Sequence, residues 1–370
     1  MRKRSRSQKI TNEITIERMA SGPDAIAHLD DGRVAMVRGG VPGDTVTLNI
    51  INEHKRYVEA TIETLLTPSP HRRKAPCRHA QSGDCGGCSW QHIKEDIQKS
   101  EKQAIVTREI SRMAPDAVIR PIASPAPAFG YRRRTRFGHK GAMLGYRHRG
   151  QRRIFDLQEC PVLDPLIIDE LAAIKEAVSD WPSGNIDVMV DEENNVVVGG
   201  PATTFVQASK AVESALIDLV LQAIPSTAQK ICELFAGAGT FSIPLHQRGH
   251  QVTTFELDRA AVDKLREVAP KIDAHRADLF RGNTEFGTPD CVLLDPPRKG
   301  ALACLDGIIR TQASVICYVS CDLMTLCRDL RVLTENGYKL DWIQPVDAFP
   351  QTSHIESVSQ LTLLTDSGDL

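Results

Sequence analysis

The residues best suited to chemistry in this 370-residue chain follow predicted strands. Cys321 ends the predicted strand in Tyr-Val-Ser-Cys-Asp. Asp295 is the first residue of the loop Asp-Pro-Pro-Arg-Lys-Gly, which follows the predicted strand Val-Leu-Leu in the sequence. Sites form at the carboxyl ends of strands in open α/β sheets. A buried, inert thiol is the ordinary interpretation of a single cysteine. At a strand end beside such a loop, the sequence favours a nucleophile instead.

A glycine turn indicates a ligand that approaches the backbone closely. The segment 233–240, Glu-Leu-Phe-Ala-Gly-Ala-Gly-Thr, follows a predicted strand and opens a helix. It is neither a dinucleotide fingerprint nor a Walker loop. Glu256 ends the next strand, where an acid accepts hydrogen bonds from ribose hydroxyls, and Asp278 follows the third strand. The set suits S-adenosylmethionine better than NAD.

Four further cysteines have the spacing of a metal or cluster site. Cys77, Cys85 and Cys88 form Cys-x7-Cys-x2-Cys, and Cys160 precedes a proline downstream. Three close thiols and a distant one suit a cubane iron–sulfur cluster. Zinc held by the same four thiolates stays open on spacing alone. His79 and His92 are also possible ligands, although four cysteines suffice.

The elements that must position these groups fall into three predicted domains. Residues 10–70 contain short β-rich segments broken by Gly and Pro turns, which predicts a small β-barrel. Residues 71–205 carry the cysteines, a predicted helix over 91–114 and a mostly β remainder. From about 206 to 370, strands alternate with helices, which predicts an α/β domain with a parallel sheet.

Composition and charge limit the compartment and the classes of binding partner that the sequence allows. The net charge is −2 and hydrophobic residues make up 41%, an ordinary globular balance. No apolar run is long enough to span a membrane, and the basic N-terminus lacks the apolar region of a secretory signal, so we expect a cytoplasmic protein. Residues 131–153 hold nine Lys or Arg and no acid, whereas residues 161–200 hold nine acids. An isolated basic run is more often a solvated charged face, but Tyr131, Phe137 and Tyr146 lie among these arginines, which modestly favours RNA binding through charge and stacking.

Three segments make the resemblance to a family specific. Leu-Leu-Asp-Pro-Pro-Arg-Lys-Gly, Tyr-Val-Ser-Cys-Asp with Thr-Leu and Arg-Asp-Leu behind it, and Phe-Pro-Gln-Thr-Ser-His-Ile-Glu resemble the RNA 5-methyluridine methyltransferases. The resemblance implies a Rossmann-like methyltransferase domain. It implies that Cys321 is the nucleophile, Glu356 the general base and Asp295 the acid beside the target base. It also implies that the methyl donor, S-adenosylmethionine, is contacted by Gln207, Phe235, Thr240, Glu256, Asp278 and Asp295.

The chemistry explains these residue types. Uracil C5 is a poor nucleophile, and addition of a thiolate at C6 makes an enolate that is rich in electrons at C5. After C5 takes the methyl group, a base must remove the C5 proton before the thiolate can leave. One departure concerns the loop behind the nucleophile: the family usually has Asn-Pro, whereas this chain has Asp322-Leu323. An added carboxylate there would raise the pKa of the thiol.

The cysteines select a branch of the family. Its ribosomal branch has Cys-Gly-Gly-Cys followed by Gln-His and a later Cys-Pro, which residues 85–92 and 160–161 match. The implied group is a 4Fe-4S cluster held by Cys77, Cys85, Cys88 and Cys160. Residues 10–67 resemble the TRAM domain, a small OB-like RNA-binding barrel, although a barrel that only packs on its neighbours stays open.

The resulting prediction is methyl transfer to C5 of a specific 23S rRNA uridine through a covalent Cys–C6 adduct, with no obligate protein partner. Three alternatives remain. One is a tRNA uracil-C5 enzyme, and another is an RNA-binding iron–sulfur protein with a lapsed enzyme domain. The third is an amino-group methyltransferase, which would not need Cys321.

Overall fold

The computed structural model describes residues 9–199, 207–282 and 284–364. Within them the chain forms two compact units. The first comprises Met1–Ile105, Gly145–Pro161 and Phe349–Ser353, and the second comprises Val106–Leu144, Val162–Ala348 and His354–Leu370. The three-domain division stays a prediction, and its boundary at 205–206 lies outside the described residues.

The first unit is built on a curled sheet. Its strands are β1 Lys9–Ile10, β2 Ile14–Thr15, β3 Arg18–Met19, β4 Ala25–His28, β5 Val34–Arg38, β6 Thr45–Glu53 and β7 Tyr57–Thr67. The strand order is β1-β6-β7-β5-β4-β3, and β2 also pairs with β6. The consecutive strands β2 and β3 therefore join β6 to β4, so the sheet curls back on itself. Helices α1 Arg78–Gln81 and α2 Glu95–Met113 follow.

A smaller sheet of four strands lies in the middle of the chain. The elements of this stretch are β8 Val118–Ile119, β9 Arg134–Lys140, β10 Met143–Gly145, α3 Pro165–Asp169, α4 Leu171–Ala177, β11 Gly184–Val190 and β12 Val196–Val198. The sheet has the order β10-β9-β11-β12, whereas β8 joins the third sheet.

Ion pairs within this sheet neutralise part of the basic stretch. The buried Arg133 donates to Glu192 at 2.8 Å and to Glu213 at 3.0 Å. Arg136 pairs with Asp187 at 2.7 Å. A buried charge is stable only when it is paired, and Glu192 and Glu213 supply the partners of the buried Arg133. These arginines are therefore paired within the protein, whereas the sequence alone left them available for RNA phosphates.

Two aromatic rings of the basic stretch belong to the core. Phe137 is fully buried, and Tyr131 is 6% exposed. Neither ring can stack on a base in this position, so the expectation that they assist RNA binding by stacking is wrong. Apolar burial takes the rings out of reach although their charged neighbours suggested a surface. Tyr146 is only partly buried.

The third sheet dominates the second unit and has the order β15-β14-β13-β16-β17-β19-β18-β8. Strands β13 to β17 pair in parallel, whereas β19 runs antiparallel to both of its neighbours. The α/β prediction is therefore confirmed. The bounds are α5 Lys210–Ala223, β13 Lys230–Leu234, α6 Ser242–Gln247, β14 Gln251–Glu256, α7 Arg259–Val268, β15 Asp273–Arg276, β16 Cys291–Leu294, α8 Leu305–Thr311, β17 Val315–Ser320, α9 Leu323–Glu335, β18 Tyr338–Val346 and β19 Glu356–Leu363.

Burial explains why this sheet is recognisable from sequence. Every residue of β16 and β17 is buried, which is why both read as continuous apolar runs. The five cysteines outside the candidate sites are all buried: Cys232, Cys291, Cys304, Cys317 and Cys327. No helix in the described part of the chain combines the length and apolar character needed to cross a membrane.

Candidate active site and a cysteine-lined cavity

Strand register brings the predicted nucleophile and base together. Strands β17 and β19 pair antiparallel, with Ser320 opposite Ser357. Cys321 follows the first of these residues and Glu356 precedes the second, so the two side chains stand at the same edge of the sheet. The sequence distance of 35 residues is closed by one pair of strands.

Asp295 joins the same edge from the neighbouring strand. Leu294 of β16 pairs in parallel with Tyr318 of β17 and with Leu234 of β13. The next residue, Asp295, donates its backbone N–H to the carbonyl of Leu234 at 3.4 Å. The carboxyl ends of β13, β16 and β17 thus meet the amino end of β19.

Burial makes this group of acids resist ionisation. Burial, together with the carboxyls of Glu356 and Asp295, raises the pKa of the Cys321 thiol to about 12. Burial likewise raises the pKa of Asp295 to about 7. It raises the pKa of Glu356 to about 8, with Asp295 adding to the effect. Three acidic groups in one dry corner favour shared protons over full ionisation.

Arg298 is the cation that opposes this effect, and our sequence analysis assigned it no role. Its guanidinium lowers the pKa of both Cys321 and Glu356. Its Nη2 donates to His354 Nε2 at 3.3 Å. The signal was its place in Asp-Pro-Pro-Arg, because a loop at a strand end carries its charged residue into the site.

Several candidate cofactor residues lie along the same edge. Phe235, directly after β13, has a positive φ of 62°, a strained geometry in a non-glycine residue. Thr240 ends the glycine turn just ahead of α6. Glu256, at the end of β14, accepts the backbone N–H groups of Gly237, Leu257 and Asp258. Its carboxylate is therefore oriented beside the glycine turn.

The remaining two candidates have other contacts. Asp278 follows β15 and caps the short helix 279–281, accepting the N–H of Phe280 at 3.1 Å. The backbone carbonyl of Gln207 accepts a hydrogen bond from Arg133 at 3.4 Å.

Glu233 is a second residue that our sequence analysis passed over. It lies within β13 and is 1% exposed. Burial, with the carboxyls of Asp295 and Glu256, raises the pKa of Glu233 to about 8, although Ser242 acts to lower it. Glu233 Oε2 has no hydrogen bond of ordinary geometry among the described residues. Buried polar atoms in native proteins are normally satisfied, so this oxygen is suited to a polar ligand.

Asp322, where the family usually has Asn, caps helix α9. Its Oδ1 accepts the backbone N–H of Thr325 at 2.9 Å. Asp and Asn are equally good at this position, so the departure preserves the loop behind Cys321.

The four remaining candidate cysteines line one cavity in the first unit. Cys77, Cys85, Cys88 and Cys160 all contribute to its wall, with apolar surface from Phe155 among others. Burial raises the pKa of the Cys88 thiol to about 12, and the other three thiols add to this shift. Folding thus gathers thiols that lie up to 83 residues apart in the sequence.

The histidines near these cysteines differ in their surroundings. Across the described ranges, no group of three or more His, Cys, Asp or Glu side chains is arranged to hold a single ion. His79 contributes its ring to the cavity wall, and its buried Nε2 has no hydrogen-bond partner among the described residues. His92 turns elsewhere, toward the carbonyl of Gly40 at 3.4 Å.

Comparison with known proteins gives consistent matches. Residues 283–363 match the family model of the tRNA (uracil-5-)-methyltransferases. The chain is 30% identical to the 23S rRNA (uracil(1939)-C(5))-methyltransferase RlmD of Pseudomonas putida, over 94% of this chain and 92% of that protein. It is also 30% identical to RlmD of Methylococcus capsulatus, over 93% and 95%. The fold is similar to Pyrococcus abyssi tRNA (uracil-54, C5)-methyltransferase in complex with S-adenosyl-L-homocysteine, with a TM-score of 0.72, 22% identity, and coverage of 94% and 99%.

Replacing Glu233 by Gln should flatten the pH dependence of stability. A carboxyl whose folded-state pKa is raised from near 4.5 to about 8 stabilises the fold fully below pH 4.5, and this contribution is lost as pH rises through 8. Wild type should lose up to about 1.4 kcal/mol per pH unit from this group across that window, and Glu233→Gln should not. Urea unfolding between pH 5 and 8 measures the difference. The exposed Glu285→Gln should follow wild type, and parallel profiles for all three proteins would contradict the prediction.

Proposed function

The chain belongs to the family of S-adenosylmethionine-dependent RNA uracil-C5-methyltransferases, and we propose that its substrate is a specific uridine of 23S rRNA. The single observation that carries a C5 reaction is the β17–β19 register, which puts Cys321 beside Glu356. Two relatives named for 23S rRNA, each 30% identical over nearly the whole chain, support the choice of RNA.

The proposed role of Cys321 is addition of its sulfur to uracil C6. The bond from Sγ to C6 converts the ring into an enolate, whose electron pair at C5 then takes the methyl group. The thiol must first lose its proton, and its raised pKa opposes this. Arg298 is the group of this chain that offsets the surrounding carboxyls, because a nearby cation favours the thiolate.

The proposed role of Glu356 is removal of the C5 proton. After methyl transfer, C5 carries both a methyl group and a hydrogen, and the sulfur leaves only when that proton goes to a base. A carboxylate whose pKa is raised to about 8 is a stronger base than an exposed one. Asp295 is proposed to accept a hydrogen bond in the same pocket.

S-adenosylmethionine would supply the methyl group as a sulfonium. We propose that residues at the carboxyl edge of the sheet contact this methyl donor: Phe235, Thr240, Glu256, Asp278 and Asp295. Gln207 is proposed to make a further contact with it. The buried Oε2 of Glu233, which has no hydrogen bond of ordinary geometry among the described residues, supports a polar contact at the start of the glycine turn. The backbone N–H groups of Gly237 and Asp258 donate to the Glu256 carboxylate and orient it, and its proposed partners are the ribose hydroxyls of the methyl donor.

RNA binding is proposed for two regions of the first unit. The curled sheet is proposed to be a TRAM-like barrel within domain 10–70, followed by a central domain 71–205 and a methyltransferase domain 206–370. The turn 145–153 exposes Arg147, Arg149, Arg152 and Arg153. These four guanidinium groups suit phosphate contacts, whereas the arginines of β9 are matched by acids.

We propose a 4Fe-4S cluster at the cysteine-lined cavity. All four candidate thiols line this one cavity, and four thiolates are the ligand set of such a cluster. A cubane is held at its corners by such a ring of thiolates. The cavity wall is largely apolar, and the buried Nε2 of His79 has no hydrogen-bond partner among the described residues. Both features fit a cluster whose sulfides accept a hydrogen bond from this nitrogen. The cluster would organise the fold and take no part in methyl transfer.

Incubating the protein and S-adenosylmethionine with unmodified 23S rRNA should form 5-methyluridine, which nucleoside mass spectrometry measures. A parallel reaction with unmodified tRNA should stay at background. Methylation of tRNA alone would overturn the choice of RNA and leave the chemistry intact. Absence of product from both RNAs would overturn the proposed function.

Two substitutions separate the roles of nucleophile and base. Cys321→Ala should lower the methylation rate at least about 10³-fold while S-adenosylmethionine still binds, because the covalent step is lost. Glu356→Gln should stall after methyl transfer and accumulate a protein–RNA adduct that survives denaturation, measured by gel shift. Cys327→Ala, which removes a buried thiol of α9, should retain activity and form no stalled adduct. Near wild-type turnover by Cys321→Ala, or no adduct with Glu356→Gln, would contradict the respective role.

Anaerobic purification should yield a brown protein with about four irons per chain and thiolate-to-iron absorption. Cys88→Ser and Cys160→Ser should lose the colour, because each removes one of the four thiolates. Cys304→Ala, a core thiol of the second unit, should keep it. A colourless wild-type protein with stoichiometric zinc would contradict the cluster.

A further inference from the structure

One face of α9 holds the backbone of the loop 298–301. The carbonyl of Arg298, at 3.0 Å, is the nearest acceptor of the Thr325 hydroxyl, whose other acceptors are the carbonyl and Oδ1 of Asp322, both at 3.2 Å. Arg328 Nη2 donates to the next carbonyl, that of Lys299, at 2.8 Å. The two side chains are three residues apart in a helix and therefore lie on the same face.

Asp329, the next residue on this face, completes the attachment. It is fully buried, and its Oδ2 accepts the backbone N–H of Ala301 and the hydroxyl of Tyr318, both at 2.7 Å. Its Oδ1 accepts from Arg328 Nε at 2.8 Å. A buried carboxylate that receives this many donors is rigidly held, so it ties the loop to both α9 and β17. We call Thr325, Arg328 and Asp329 the anchoring face.

Gly300 shows how closely the loop lies against this face. It has a φ of +75°, in the left-handed region. A Cβ added there would come within 2.5 Å of both Arg328 Nη2 and Asp329 Oδ2. The glycine thus permits the loop backbone to approach the anchoring face at hydrogen-bond distance.

The anchored loop carries Arg298. Its carbonyl is held by Thr325, while its exposed guanidinium reaches His354 and acts electrostatically on Cys321 and Glu356. Cys321 lies just before Asp322, the N-cap of α9. The same helix therefore fixes both the thiol, at its amino end, and the backbone of the arginine, along its side.

We infer that the anchoring face positions Arg298 so that its guanidinium promotes thiolate formation at Cys321. This inference deepens the proposed function and rests on it, because it needs Cys321 to be the nucleophile. The members of the anchoring face are positioning residues: they act through Arg298 and contact no substrate in this scheme.

Thr325→Val removes the hydroxyl that holds the Arg298 carbonyl and keeps the shape of the side chain. The backbone N–H of Thr325, which caps the helix, is retained. Thr334→Val is the matched control, because that hydroxyl bonds only within α9, to the carbonyl of Arg331 at 3.0 Å. The readout is the rate at which iodoacetamide modifies Cys321 in the full-length protein at fixed pH, quantified by peptide mass spectrometry.

We expect Thr325→Val to slow the modification of Cys321 about three- to tenfold, equivalent to a rise of half to one unit in the pKa of the thiol. Thr334→Val should match wild type. Arg298→Ala should slow modification at least as much, and adding Thr325→Val to it should cause no further loss, because the hydroxyl acts through the guanidinium. The profile of rate against pH should shift as a whole, which a general loss of stability would not produce.

Three results would overturn the inference. They are equal rates for Thr325→Val and Thr334→Val, no effect of Arg298→Ala, or a full additional loss in the double variant. Failure of the proposed function is separate: it would appear as methylation by Cys321→Ala, whatever the alkylation rates show.

Discussion

The antiparallel insertion of β19 between β17 and β18 is the constraint on which the candidate active site depends. A purely parallel sheet would bring only carboxyl ends of strands to this edge. Because β19 runs the other way, its first residue, Glu356, stands beside Cys321, which follows the last residue of β17. One register thus unites the proposed nucleophile and the proposed base, which the chain keeps 35 residues apart, and a slip of one residue would turn Glu356 to the other face.

Burial at this edge raises the pKa of several acidic groups, and the guanidinium of Arg298 lowers the pKa of Cys321 and Glu356. Asp295 and Glu356 are withdrawn from water beside the Cys321 thiol, Glu233 is buried beside Asp295, and the pKa of each group rises as a result. Groups with raised pKa values keep their protons at neutral pH, and their deprotonated forms are stronger bases than exposed carboxylates. This suits the proposed reaction, which needs a thiolate at its start and a proton acceptor at its end. The loop behind Asp295 brings Arg298 to the same corner, and α9 holds that loop in place.

The basic stretch divides into two parts with different physical roles. Arg134 and Arg136 on β9 are matched by Asp187, and Arg133, just before β9, is matched by Glu192 and Glu213, so these arginines stabilise the region of the small sheet. Arginines in the turn 145–153 stay exposed in the first unit, which also gathers the four thiols. Charge density along the sequence therefore overstated the basic surface, because the acids of the following stretch fold back onto it.

The sequence by itself determined the α/β class, the buried strands and the residue types at their ends, since apolar runs and turn residues act locally. It also determined the family, through the segments around Asp295, Cys321 and Glu356. Only the tertiary structure decided that β19 is antiparallel, that Tyr131 and Phe137 are core, and that Glu233 comes near Asp295 and Arg298 near Cys321. These outcomes depend on strand order, ion pairing and burial between residues far apart in the chain, and no local pattern encodes which distant partner excludes water from a given side chain.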